Sequence, residues 1–299
     1  MGAVAQSPTG VMTTRCSEMD RQQMGNQDLN ELCDALPLRV YEQVPMAMID
    51  GITEGDLWRA LTEERLEVRY QPIVRLIGTA RGAPHPVIGA EALLRWRHPE
   101  LGLLRPEQFF VAFENDPELM RAVETHVLLV ATRAAAKAGL EVAVNLSPVR
   151  FSEGDELILS VSRALLRSSL DPAGLTLEIT EREFPRDLEA VVVGVKQLQI
   201  LGVQVIADDF GTGNSSIYLK NLSLDGIKLD RVFIRAAENG EWRETVAEIV
   251  DVAHKLALTV LAEGVETRRQ AILARALGVD WAQGYFYGRP GPSMPTPRD

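Results

Sequence analysis

The chain has 299 residues, 46% of them hydrophobic, with a formal net charge of −11 and a pI near 5.0. That apolar content suffices for one large core or two smaller domains, and the acidic balance excludes a general DNA- or RNA-coating surface, which needs a basic track to gather phosphates. No run of about 18 apolar residues occurs and no basic start precedes an apolar segment, so neither a membrane span nor a secretory leader is expected.

Residues 1–50 are rich in Met, Gln, Ser and Thr and read as an extension ahead of a main domain over 51–299. Within the extension Leu29, Leu32, Cys33 and Leu36 follow the i, i+3, i+4, i+7 spacing of one short amphipathic helix, which Pro37 ends. A surface helix packed on the main domain accounts for it better than a partner-binding peptide. Cys16 and Cys33 form neither a CxxC pair nor a disulfide framework, which fits a reducing cytoplasm.

A helical pattern over 56–65 is followed by alternating strands and helices. Apolar or β-branched runs lie at 68–74, 87–90, 142–144, 175–179, 203–207, 226–229 and 258–262. Helix-like segments cover 118–138, 155–167, 188–201, 243–256 and 268–277, with Gly139, Gly202 and Gly278 placed as C-terminal caps. The repeated β-then-α order predicts an α/β fold with a parallel sheet, open or closed into a barrel.

Polar residues punctuate these runs. Gln71 lies within the first, Glu91 and Asn145 follow the second and third, Glu178 sits inside the fourth, and Asp208 and Asp209 end the fifth before a glycine turn. Lys228 is inside the sixth and Glu263 follows the seventh. Read alone, the stretch around Asp209 serves as well for a helix start capped by Asp209 or Asn214. In a parallel barrel, however, the carboxyl ends of all strands meet on one face, and several carboxylates converging there require a cation. An oxygen-rich set without His or Cys selects Mg²⁺ or Mn²⁺ over zinc. The histidines at 85, 98, 126 and 254 show no paired spacing and suit surface or packing roles. Lys228 can hold a water or a phosphate oxygen, or form a structural ion pair with Asp208 or Asp209.

Eight motifs in order make the chain resemble the EAL-domain cyclic di-GMP phosphodiesterases. They are Tyr70-Gln71-Pro72-Ile73-Val74, Glu91-Ala92-Leu93 with Leu94 and Arg95 following, Asn145-Leu146-Ser147, Glu178-Ile179-Thr180-Glu181, Asp208-Asp209-Phe210-Gly211-Thr212-Gly213, Lys228-Leu229-Asp230, Ala262-Glu263-Gly264-Val265-Glu266-Thr267 and Gln283-Gly284-Tyr285. The resemblance runs from about residue 54 nearly to the C-terminus. It implies a modified TIM-type (β/α)8 barrel and metal-dependent hydrolysis of cyclic di-GMP to linear pGpG, with two Mg²⁺ or Mn²⁺ ions. By motif position it implies Glu91, Asn145, Glu178 and Asp208 as ligands of the first metal and Asp209, with the shared Asp208, for the second. It implies Lys228 and Glu263 as residues that position or activate water, and Glu181 as the brace of the Asp-Asp loop. Gln71, Leu93, Arg95 and Gln283 match substrate-contacting positions, and a homodimer is the usual assembly. Arg75, the long connection over 78–86, the 109–114 segment and Asn214 depart from the family pattern without removing a site residue. With every ligand position filled, an active hydrolase is expected ahead of a non-hydrolysing cyclic di-GMP receptor that signals to a protein partner.

Overall fold

The computed structural model describes residues 49, 51–78, 85–110, 116–180, 187–210 and 221–296. The amphipathic pattern at 29–36, Glu181 and the glycine turn at 211–214 lie outside the described residues. A first helix, α1 (Glu54–Thr62), starts at a capping box in which Thr53 and Asp56 satisfy each other's backbone amides. Strands β1 (Leu66–Arg75), β2 (Val87–His98) and β3 (Gly102–Leu104) follow, then α2 (Pro106–Phe109) and α3 (Pro117–Ala138). The series continues as β4 (Glu141–Leu146), α4 (Pro148–Phe151), α5 (Asp155–Ser168), β5 (Leu175–Thr180), α6 (Leu188–Leu201) and β6 (Gln204–Phe210). It ends with β7 (Gly226–Leu229), α7 (Arg231–Asn239), α8 (Arg243–Lys255), β8 (Thr259–Ala262), α9 (Arg268–Ala276) and β9 (Trp281–Gln283). Gly139 and Gly202 close α3 and α6 in the left-handed conformation, as their positions after helical runs predicted.

The strands form a closed eight-stranded barrel in the order β1, β9, β8, β7, β6, β5, β4, β2, with β2 pairing back to β1 and β3 attached to the outer side of β2. From β2 through β4 and on to β9 the pairs are parallel, but β1 is antiparallel to both neighbours. A uniformly parallel sheet is therefore not what forms. The link from Arg75 to Val87 is too short for a crossover helix and returns as a hairpin, which reverses β1. The sequence periods also pass over β3, β9, α2 and α4, elements of three or four residues too short to show a repeat, and over the nine-residue α7.

The main core fills the annulus between barrel and helices, with β-strand residues such as Val144, Leu177 and Val205 facing helix residues such as Leu128, Val161 and Val195. A second cluster under the β2–β3 hairpin joins Leu57, Trp96, Phe109 and Leu119, and Ile49 and Ile52 pack on it. Helix α6 approaches α4 closely at Gly194, where a Cβ would stand 2.0 Å from the carbonyl oxygen of Phe151. At the foot of the barrel two aspartates repeat one device. Asp225 Oδ2 accepts from the Val205 amide (2.9 Å) and Gln199 Nε2 (2.9 Å), while Asp280 Oδ2 accepts from the Val260 amide (2.8 Å) and meets His254 Nε2 (2.9 Å). Each thus ties the start of one strand to its neighbour.

All barrel strands begin at or after Leu66, and residue 49 already rests on the second cluster. Deleting residues 1–48 is expected to leave one cooperative thermal transition, displaced by no more than about 5 °C. Non-cooperative melting of the shortened chain would show that the extension completes the core.

Candidate active site

Side chains alternate along a strand, so residues two apart share a face. Inside the barrel a floor is made by Ile73, Gly89, Ala143, Thr176, Ile206, Leu261 and Trp281, which line one small cavity. Two residues towards the mouth, the strands present Gln71, Glu91, Asn145, Glu178, Asp208, Lys228, Glu263 and Gln283. Each strand of the closed ring thus contributes one polar side chain to a single layer, and all eight are residues singled out in the sequence. The register supports this: Gln71 stands opposite Glu91, and Asn145 opposite Glu178.

Lys228 is the hub of the layer. Fully buried, its Nζ lies 2.7 Å from Glu263 Oε1, 2.8 Å from Glu178 Oε2, 2.9 Å from Asp208 Oδ1 and 3.6 Å from Glu91 Oε1. Burial works against its charge, but the carboxylates outweigh that and hold the ammonium protonated, its pKa well above the ordinary lysine value. Glu91 is held at both oxygens: Asn145 Nδ2 donates to Oε1 (2.7 Å) and Gln283 Nε2 to Oε2 (2.6 Å). Gln283 Nε2 also donates to Glu263 Oε1 at 3.0 Å, and Gln71 Nε2 reaches the carbonyl of Gly288 at 3.4 Å.

At the end of β6 the alternation is broken. Asp209 has φ +53°, in the left-handed region, and the pairing of β6 with β7 shifts between Ala207 and Phe210. That departure costs a non-glycine residue about 1–2 kcal/mol and brings the carboxylates of Asp208, Asp209 and Glu263 within 4.8 Å of one another. Asp209 belongs to the strand and caps no helix, while Asn214, the other cap candidate, lies outside the described residues. The trio shares Asp208 and Asp209 with the ligand set implied by the resemblance and adds Glu263, while Glu91, Glu178, Asp208 and Glu263 all face Lys228.

These residues fit hard divalent cations. Four carboxylates surround one ammonium, and Glu178 Oε1, fully buried, has no hydrogen-bond partner. Two glycines adjoin the layer. A Cβ on Gly264 (φ +60°) would meet Arg231 Cβ at 2.4 Å, and one on Gly284 would meet the Val265 backbone at 2.1 Å, so the turns beside Glu263 and Gln283 pack closely against their neighbours.

Glu91, Leu93 and Arg95 alternate on one face of β2, which carries Arg95 above the layer. Its Nη1 donates to the carbonyl of Leu94 at 2.6 Å, and burial pulls its guanidinium below the ordinary value. Beyond the mouth, Arg289 stacks 4.1 Å over the Tyr285 ring, a pair the sequence reading did not pick out.

A second set of residues missed in the sequence braces the chain at Ser147, just after Asn145. Glu124, on α3, accepts from the Ser147 amide at 2.7 Å and pairs with buried Arg150 at 3.2 Å; Arg150 also pairs with Glu153, which pairs with Arg121 at 3.0 Å. Burial pushes the Glu124 carboxyl up to about 7 against the pull of those donors. A carboxylate at a core position of an otherwise apolar helix stripe, beside Val123 and Val127, was the available signal.

Burial, countered by Lys228, also raises Glu178 and Glu263 well above the ordinary 4.5. A carboxyl so raised keeps in the folded state a proton that the unfolded chain has released. Its stabilising effect is complete below about 4.5 and is lost as pH rises through the folded value. In EDTA the Tm is expected to fall between about pH 5 and about pH 8, and Mg²⁺ to raise it more at the upper end, since the cation competes with protons. A Tm in EDTA that climbs across this interval would show the carboxylates to be stabilised as anions by Lys228 alone.

The EAL domain model matches residues 54–290. The bifunctional diguanylate cyclase/cyclic di-GMP phosphodiesterase MucR of Pseudomonas aeruginosa is 41% identical over 247 residues, covering 80% of this chain and 35% of MucR. The cyclic di-GMP phosphodiesterase NbdA of the same organism is 37% identical over 80% of this chain and 30% of its own length. The chain thus spans about a third of these relatives. Among solved structures, the PaMucR phosphodiesterase in complex with c-di-GMP superposes with a TM-score of 0.70 at 41% identity, covering 80% of this chain and 96% of that one. The EAL enzyme Bd1971, with cAMP and cyclic di-GMP bound, gives 0.72 at 26% identity, covering 80% and 65%.

Proposed function

The chain belongs to the EAL domain family, and from that premise we propose that it is a metal-dependent phosphodiesterase hydrolysing cyclic di-GMP to linear pGpG. The observation that carries this reading is the complete polar layer, in which no strand of the ring lacks its chemical side chain. The relatives and solved structures of the same family that act on or hold cyclic di-GMP support the substrate.

In this reading Glu91, Asn145, Glu178, Asp208 and Asp209 hold Mg²⁺ or Mn²⁺ at two adjacent positions, with Glu263 beside the aspartate pair. When bound, the cations polarise the phosphodiester and the attacking water and offset charge on the leaving oxygen. The chain's own residues do the rest. Lys228, kept charged by its ring of acids, fixes those acids in place and presents a permanent cation to the developing phosphate charge. Glu263 orients the water and accepts its proton as the water oxygen bonds to phosphorus and the P–O3′ bond breaks. Gln283 fixes both Glu91 and Glu263. Arg95 offers a planar fork to a phosphate, with Gln71 and Leu93 lining the approach. Glu181 is proposed to brace the Asp208–Asp209 turn. The acidic chain with two cysteines suits the cytoplasm, and among the described residues no helix is long and apolar enough to cross a membrane.

Purified chain with Mg²⁺ or Mn²⁺ is expected to convert cyclic di-GMP to pGpG, and EDTA to stop it. Ca²⁺, larger and looser in its geometry, is expected to permit binding with little turnover. If calorimetry shows binding but chromatography shows intact cyclic di-GMP with either activating metal, the chain is a receptor and the hydrolase reading fails.

A further inference from the structure

Three neighbouring outer helices share an unusual surface. Helix α3 exposes Val130, Arg133 and Lys137; α5 exposes Leu159, Arg163, Leu166 and Arg167; α6 exposes Val193, Lys196 and Ile200. Each is a stripe at the i, i+3 or i+4, i+7 spacing of one helix face. Two of the apolar residues are nearly bare, Leu166 at 80% and Ile200 at 86% exposure. No carboxylate occurs over residues 125–140, 157–170 or 190–207, in a chain whose net charge is −11. Basic residues near helix C-termini are ordinary complements to the helix dipole. Bare leucine and isoleucine interleaved with them are not, and they mark a surface made to be covered.

The chain itself carries a segment of matching chemistry. Residues 22–38 contain Asp28, Glu31 and Asp34 and no base, and Leu29, Leu32, Cys33 and Leu36 form their apolar stripe. The tether also fits. Residue 49 rests on the cluster that includes Leu119 and Val123 of α3, and Val130 to Lys137 lie further along that helix, about 10–20 Å away at 1.5 Å per residue. The twelve residues 37–48 span up to about 40 Å when extended, so the segment can reach the face. A second copy of the same face is a poor occupant, because a two-fold contact would set its five cations against themselves. We propose that residues 27–36 dock in cis, as an acidic amphipathic helix, on the basic and apolar face formed by α3, α5 and α6. The helices' N-termini and the barrel mouth stay clear of this face, so docking leaves the site open.

The native Cys33 provides the test. In the full chain carrying Cys16→Ser, a single thiol is added by Leu166→Cys, by Ile200→Cys or, on the opposite side, by Ile272→Cys in α9, where Ile272 is 61% exposed. After mild oxidation, peptide mapping should find Cys33 joined within one chain to the thiols of α5 and α6 at least fivefold more than to that of α9. Arg163→Glu with Arg167→Glu should lower that yield, and Glu31→Arg with Asp34→Arg should restore it in the reversed background. Equal yields at all three positions would overturn the proposal, as would links found between chains alone. Sedimentation of the full chain with phosphatidylserine vesicles, abolished by the arginine reversals, would also overturn it by showing the face to be a free membrane-binding surface.

Discussion

Replacing Lys228 by Met is expected to lower the melting temperature strongly and to leave almost no hydrolysis. The side chain is fully buried with four carboxylates around it, and methionine matches its length while removing the charge. Taking one partner from a buried ion cluster costs about 3–5 kcal/mol, since the remaining charges stay out of water without compensation. For a domain of this size that is a fall of roughly 6–20 °C. The acids can recover by taking up protons, so the loss should be smaller near pH 5 than near pH 8, and Mg²⁺ should restore part of the stability. Activity should not return with the metal, because no mobile ion replaces a fixed cation on the water side of the phosphate; a fall of about 10³-fold or more is expected. A Lys228→Met protein with an unchanged melting curve would mean that the carboxylates are already protonated and that the hub is not a charge cluster.

Glu91→Gln is expected to reduce turnover by about 10²–10³-fold while moving the melting temperature by a few degrees at most. Both Glu91 oxygens accept from amide donors, Asn145 Nδ2 on one side and Gln283 Nε2 on the other. Glutamine offers one acceptor and one donor, so in either orientation its NH₂ faces another NH₂ and one of the two bonds is lost. Size is preserved and no cavity forms, so the effect falls on the geometry of Asn145 or Gln283 and on cation affinity rather than on packing. Raising Mg²⁺ should recover part of the rate if weakened metal binding dominates, and a plateau far below wild type would place the loss in orientation. Wild-type turnover at low Mg²⁺ would remove Glu91 from the site.

The sequence showed the site more clearly than it showed the fold's irregularities. Strand alternation is local, and an acid or amide two residues beyond an apolar pair is visible without knowing what it faces; hence Glu91, Asn145, Asp208 and Glu263 were all identifiable. The reversed β1 was not, since direction is set by the length of a connection and not by the strand's own residues. The left-handed Asp209 was invisible for a related reason: its neighbours in the sequence are those of an ordinary strand end, and the break shows only in the pairing of β6 with β7. The Glu124–Ser147 contact joins residues 23 positions apart in different elements, and no periodicity links a helix acid to a strand-end amide. Arg95 on the same face as Glu91 was implicit in the spacing, whereas the stacking of Arg289 on Tyr285 depends on a turn of irregular backbone.

The seam of the barrel gives the site a place in time as well as in space. Strand β9 closes the ring by pairing with β1, and the two residues that meet the layer from either side of that seam, Gln71 and Gln283, are more than 200 positions apart. Contacts of such long range form late and slowly, after local helices and hairpins. During synthesis Glu91, Asn145, Glu178, Asp208 and Lys228 all precede Gln283 by more than fifty residues, so they are made before the amide that fixes Glu91 and Glu263. Competence therefore arrives as a single late step, and a chain interrupted ahead of Trp281 lacks the ring and the chemistry together.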